Sequence, residues 1–105
     1  MSYIYTFIRR DISPEQQRVQ LGHACYEAGK KFADNHGISS LILLSARDRE
    51  DLENISRKLE EKGIDFYMFF EPDDGMGYSA ICSEPIVNPN LRNFFRKWEL
   101  FTEAV

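Results

Sequence analysis

Cysteine is scarce: Cys25 and Cys82 are the only two in the chain. That density excludes a disulfide-stapled scaffold, and no pair has the spacing of zinc ligands. Cys25 lies in an amphipathic stretch and Cys82 in an apolar one, so both read as buried small hydrophobes. A basic surplus is also missing. Thirteen Lys+Arg against seventeen Asp+Glu give a formal net charge of −4, which argues against a dedicated nucleic-acid binder. Long hydrophobic runs are absent too. The apolar start, residues 1–8, is cut short by Arg9, Arg10 and Asp11, so it reads as neither a signal peptide nor a membrane span. A soluble, cytoplasmic protein is expected. There is no internal repeat and no linker. What is present is 105 residues, 43% hydrophobic and 29% charged. That suits one folded domain over residues 1–105, able to bury about two-thirds of its surface.

The pattern of residues gives the order of elements. Tyr3–Ile8 is β-branched and aromatic and reads as a strand covered on both faces. Ser13-Pro14-Glu15-Gln16 is a helix start, with Ser13 as N-cap, Pro14 in the first turn and Gln16 closing a capping box. The helix is expected to run to about Asp34, burying Leu21, Ala24, Cys25, Ala28 and Phe32, and to end at Asn35-His36-Gly37. Ser39–Leu44 reads as a second buried strand. A charged helix from Asp48 to Lys62 follows, with the seam Leu52, Ile55, Leu59 and a stop at Gly63. Ile64–Phe70 and Tyr78–Ser83 read as strands on either side of the turn-forming Pro72-Asp73-Asp74-Gly75-Met76-Gly77. Asn88-Pro89 opens a last helix carrying Leu91, Phe94, Phe95, Trp98 and Phe101.

The order is β-α-β-α-β-β-α. Alternating strands and helices predict a three-layer α/β/α fold. Its four-stranded sheet is mixed, with the fourth strand antiparallel. In such sheets ligands sit outside the carboxyl ends of the parallel strands. Four polar features converge there. Arg9, Arg10 and Asp11 end the first strand, either as a solvated turn or as a binding group. Gln16, Gln20, His23 and Glu27 form one stripe on the first helix, either its solvent face or the wall of a site. Glu71, followed by Asp73 and Asp74, is placed to act as a base or simply to form a turn. The three carboxylates lack EF-hand spacing and a neighbouring His, so no metal is expected, and no cofactor. Ser79 begins the fourth strand without the context of a nucleophile elbow. The aromatic face of the last helix fits core packing best. Stacking on bases or a subunit interface are the alternatives.

Phe7-Ile8-Arg9-Arg10-Asp11-Ile12 and Gln20-Leu21-Gly22-His23-Ala24 resemble the N-terminal motif of type II peptidyl-tRNA hydrolases. In that motif an apolar pair precedes Arg-x-Asp-Leu, and Gln-x-x-His-Ala lies on the first helix. Ser79–Pro85 is similar to the family's Thr-initiated fourth strand, and Glu71 falls at the family's Asp. The resemblance covers essentially the whole chain. It implies hydrolysis of the ester between a peptide and tRNA by a homodimer. Gln20, His23, Glu71 and Ser79 would be catalytic, and Arg9, Asp11 and Gln16 substrate-binding. Two departures stand out. Gln16 occupies the position of a family Lys, and the segment between Asp11 and Gln20 is two residues shorter. The competing expectation is a non-catalytic binding or interaction module on the same fold. Charge is unevenly placed: residues 64–87 carry −5 and the remainder +1. One wall of the expected cleft is therefore acidic, and a polyanion is expected to approach from the first-helix side.

Overall fold

A computed structural model describes residues 1–32 and 37–102. The strands are β1 (Tyr3–Arg9), β2 (Ser40–Ala46), β3 (Phe66–Glu71) and β4 (Gly77–Ser83). The helices are α1 (Pro14–Lys31), α2 (Arg49–Glu61) and α3 (Pro89–Phe94), the last extended by a 3-10 turn over Phe95–Lys97. The sheet order is β2-β1-β4-β3. β1 pairs parallel with β2, whereas β4 runs antiparallel to both β1 and β3. The expected mixed sheet, with its fourth strand antiparallel, is present.

Alternation along the strands sends side chains to two separate cores. On one side Ile8, Ala80 and Cys82 meet Ala24 and Ala28 of α1. Small residues on the helix let it lie close to the sheet, and Leu21, Cys25 and Phe32 fill the margins. On the other side Tyr5, Phe7, Leu44 and Ile81 meet Leu52, Ile55 and Leu59 of α2 and Phe95 beyond α3. The three layers follow directly: α1, sheet, then α2 with α3.

The start of α1 is fixed as the sequence predicts. Ser13 Oγ accepts the Gln16 N–H, and Gln16 Oε1 accepts the Ser13 N–H, a reciprocal cap of about 1 kcal/mol. The helix ends at Lys31, earlier than the expected Asp34, because Phe32 leaves helical geometry at φ −109°, ψ 67°. The expected stop at Asn35-His36 lies outside the described residues.

The C-terminal segment departs most from expectation. The helical run stops at Lys97, and Trp98 is already extended at ψ 146°. The chain then lies along the edge of β2. Ser45 N–H donates to the Glu99 carbonyl, and Phe101 N–H donates to Leu43. Phe101 therefore crosses to the α1 side, while Trp98 stays on the α2 side. The expected single aromatic face is split between two cores, and the exposed edge of β2 is covered. Among the described residues no helix is long and apolar enough to cross a membrane.

Candidate functional site

The carboxyl end of β3, the turn after it and the first two turns of α1 enclose a cleft of about 350 Å³. α1 reaches it because the helix starts directly after β1 and crosses over β4 and β3. Gln20, expected on a stripe that could have been solvent-facing, is 4% exposed and sits at the back of this cleft. Its amide joins two strands. Nε2 donates to Glu71 Oε2 at 3.1 Å, and Oε1 accepts the Ser79 hydroxyl at 2.6 Å. Ser79 is fully buried and Glu71 is 9% exposed. The result is a continuous hydrogen-bond chain, Ser79 to Gln20 to Glu71, in which each donor is matched by an acceptor.

A bulge produces that chain. Along β3 and β4 the register pairs Phe69 with Ala80 but Phe70 with Tyr78, so Ser79 is the extra residue. Two consecutive residues, Ser79 and Ala80, consequently face α1. An unbroken strand would have sent Ser79 to the opposite core.

Glu71 is held ionised. The Gln20 amide is the main cause and the Asp73 N–H, 3.2 Å from Oε1, the second. Together they keep the carboxyl below its ordinary range, because hydrogen bonds to the charged form favour it. The loop that brings Asp73 back is tightly wound: Asp74, Gly75 and Gly77 all have positive φ, at 57°, 66° and 71°. Glycine adopts such angles without strain, and Asp tolerates them better than most residues.

His23 lies at the rim, one turn beyond Gln20. Its ring stacks on Phe69 at 4.6 Å between centroids, with 5° between planes. Phe69 was not anticipated as a site residue. The two-residue period of a strand places it on the same face as Glu71, and that signal was sufficient to find it. Gln16 lines the cleft as well, although its side-chain oxygen is occupied by the helix cap.

Arg9 and Asp11 do other work. The Arg9 Nε and Nη2 donate to the two Asp11 carboxylate oxygens, both at 2.8 Å. Nη1 donates to the Met76 and Tyr78 carbonyls at 2.8 and 3.0 Å. The guanidinium thus ties the end of β1 to the start of β4 and props the loop behind the cleft. Neither residue lines the cleft; the buried Arg9 positions the loop, while Asp11 stays exposed. Ser79 similarly supports Gln20 and has no surface of its own.

The acidic wall expected from the sequence extends onto α1 through Glu15. Glu15, Glu71, Asp73 and Asp74 line the cleft, and no Lys or Arg does. Three basic residues around α1 lie outside this lining and have other neighbours. Lys31 pairs with Asp65, Lys30 with Glu27, and Arg10 lies 4.6 Å over the Phe101 ring. Among the described residues no group of three His, Cys, Asp or Glu side chains is placed to hold a metal ion. No protein-family model and no curated protein matches the chain.

Proposed function

We propose that the chain hydrolyses the ester between a peptide and tRNA, the reaction implied by its resemblance to type II peptidyl-tRNA hydrolases. One observation carries this reading: an ionised Glu71 at the back of a cleft, held by Gln20 and flanked by His23. Glu71 takes a proton from a cleft water, and the hydroxide adds to the ester carbonyl carbon. The ester C–O bond then breaks, and the proton taken by Glu71 passes to the leaving ribose oxygen, with His23 orienting the water at the rim of the cleft. The products are a free peptide carboxyl and an intact tRNA hydroxyl. Ser79 orients the Gln20 amide, and Gln20 fixes the rotamer of Glu71. The same resemblance supports a cytoplasmic homodimer.

A carboxylate with a lowered pKa is a weak base, so its effect belongs near the low end for general-base catalysis. Glu71→Gln is expected to lower kcat/KM on a peptidyl-tRNA by about 10²-fold, and His23→Ala by a similar factor. A wild-type protein that leaves the ester intact, under conditions where a type II enzyme cleaves it, ends the proposal.

The acidic lining favours a second reading, a binding module without turnover. Four carboxylates and no cation suit a basic ligand rather than a phosphate backbone. Salt-dependent retention on immobilised tRNA separates the two: a tRNA enzyme must show it, and a cation-binding module does not.

A further inference from the structure

We propose that a groove on the opposite side of the sheet binds a planar aromatic anion. The groove encloses about 560 Å³ between β1, β2 and the segment from α3 to Leu100. That volume suits a small organic ligand. Its lining is unusually aromatic. Tyr5 and Phe95 stack face to face at 3.8 Å and 1°, with Tyr3 and Trp98 beside them. Tyr5 and Phe95 are buried and form the floor, whereas the half-buried Tyr3 and Trp98 offer ring surface to a flat ligand body.

Charge defines the other half of the ligand. Arg92 and Arg96 both line the groove, and among the described residues no acidic residue does. Among the described residues neither guanidinium forms an ion pair. Arg92 lies over the Tyr3 ring at 4.8 Å, and its Nε is buried with no acceptor among the described residues. Arg92 is half-buried and Arg96 exposed, so the parts of their guanidinium groups that line the groove can receive a carboxylate or phosphate oxygen. Such pairing is charge-assisted and directional. The cleft below α1 is acidic and the groove below α3 is basic, so one ligand does not suit both. This inference is therefore independent of the proposed hydrolysis.

Trp98, the only tryptophan, reports on the groove directly. Its fluorescence is titrated in the full chain with adenosine monophosphate, naphthalene-2-carboxylate, adenosine and inorganic phosphate. One or both aromatic anions are expected to give a saturable change. Adenosine and phosphate alone should bind at least about tenfold more weakly, as should the aromatic anion to an Arg92→Gln, Arg96→Gln double variant. Response to the nucleotide alone assigns the anion to a phosphate ester, and response to the naphthoate alone to an aryl acid. His23→Ala should leave the affinity unchanged. If the double variant does not fold, Arg96→Gln alone is used, since Arg96 is exposed. The proposal is overturned if neither anion saturates the signal at millimolar concentration, if adenosine binds as tightly as its monophosphate, or if the arginine variants bind normally.

Discussion

The two sides of the sheet solve the burial problem differently. Under α2 and α3 the core is large and apolar, built from Phe7, Leu52, Ile55, Leu59 and Phe95, with a basic aromatic groove at its margin. Under α1 the core is small, built on Ala24, Ala28 and Ala80, and near β3 it gives way to the polar chain Ser79–Gln20–Glu71. Apolar packing tolerates substitution of similar volume, whereas removing a member of a buried polar chain leaves its partner unsatisfied. Stability is therefore expected to reside mainly on the α2 side and chemistry on the α1 side.

That division can be broken from either side. The largest effect is expected at Phe95, which is 1% exposed and stacked on Tyr5. Phe95→Ala should cost about 3–5 kcal/mol in urea unfolding, through lost burial and the cavity left behind. The Glu71–Gln20 hydrogen bond on the far side should persist, so any remaining folded protein should keep the same reaction profile. If activity falls with stability held by low temperature, the two sides are coupled and the comparison fails.

The next effect is expected at Gln20. Gln20→Ala leaves both the Ser79 hydroxyl and one Glu71 oxygen without their partner, at about 1–3 kcal/mol for each buried group. Partial water access to Glu71 places the total near the lower end. Ser79→Ala removes only the far end of the chain and should cost about 1 kcal/mol. Comparing the two by chemical denaturation tests whether Gln20 is the centre of the chain. Equal losses would show that it is not.

The smallest effect is on pH dependence. The Gln20 amide lowers the pKa of Glu71, and the Arg9 guanidinium lowers that of Asp11. A carboxyl lowered on folding contributes stability that is fully present above its unfolded pKa and is lost as pH falls through the folded one. Stability should therefore decline below about pH 4, the ordinary carboxyl range. Glu71→Gln should flatten part of that decline, as read from urea midpoints at stepped pH. An unchanged slope would mean that Glu71 is not held ionised by its neighbours.

Much of the fold was legible in the sequence because its signals are local. The capping box at Ser13 and Gln16, the seam of α2 and the β-branched and aromatic strands each follow from spacing within a few residues. Glu71, Gln20 and His23 were legible as candidates for the same reason, since polar side chains at strand ends and on one helical stripe stand out. The C-terminal segment was not legible. Phe94, Phe95, Trp98 and Phe101 share helical spacing, but hydrogen bonding to the β2 edge competes with the helix and wins after Lys97.

By itself, the sequence determined the order of elements and the acidic character of the β3–β4 connection, set by residues close along the chain, and that order implied the mixed sheet. Only the tertiary structure decided how the polar residues divide their roles. Arg9 carries the same charge whether it faces a ligand or Asp11, and contact with the Met76 and Tyr78 carbonyls turns it inward while Asp11 stays exposed. Ser79 acquires its partner from a one-residue bulge between strands. Register and clamp are long-range pairings, so residue spacing along one segment does not encode them.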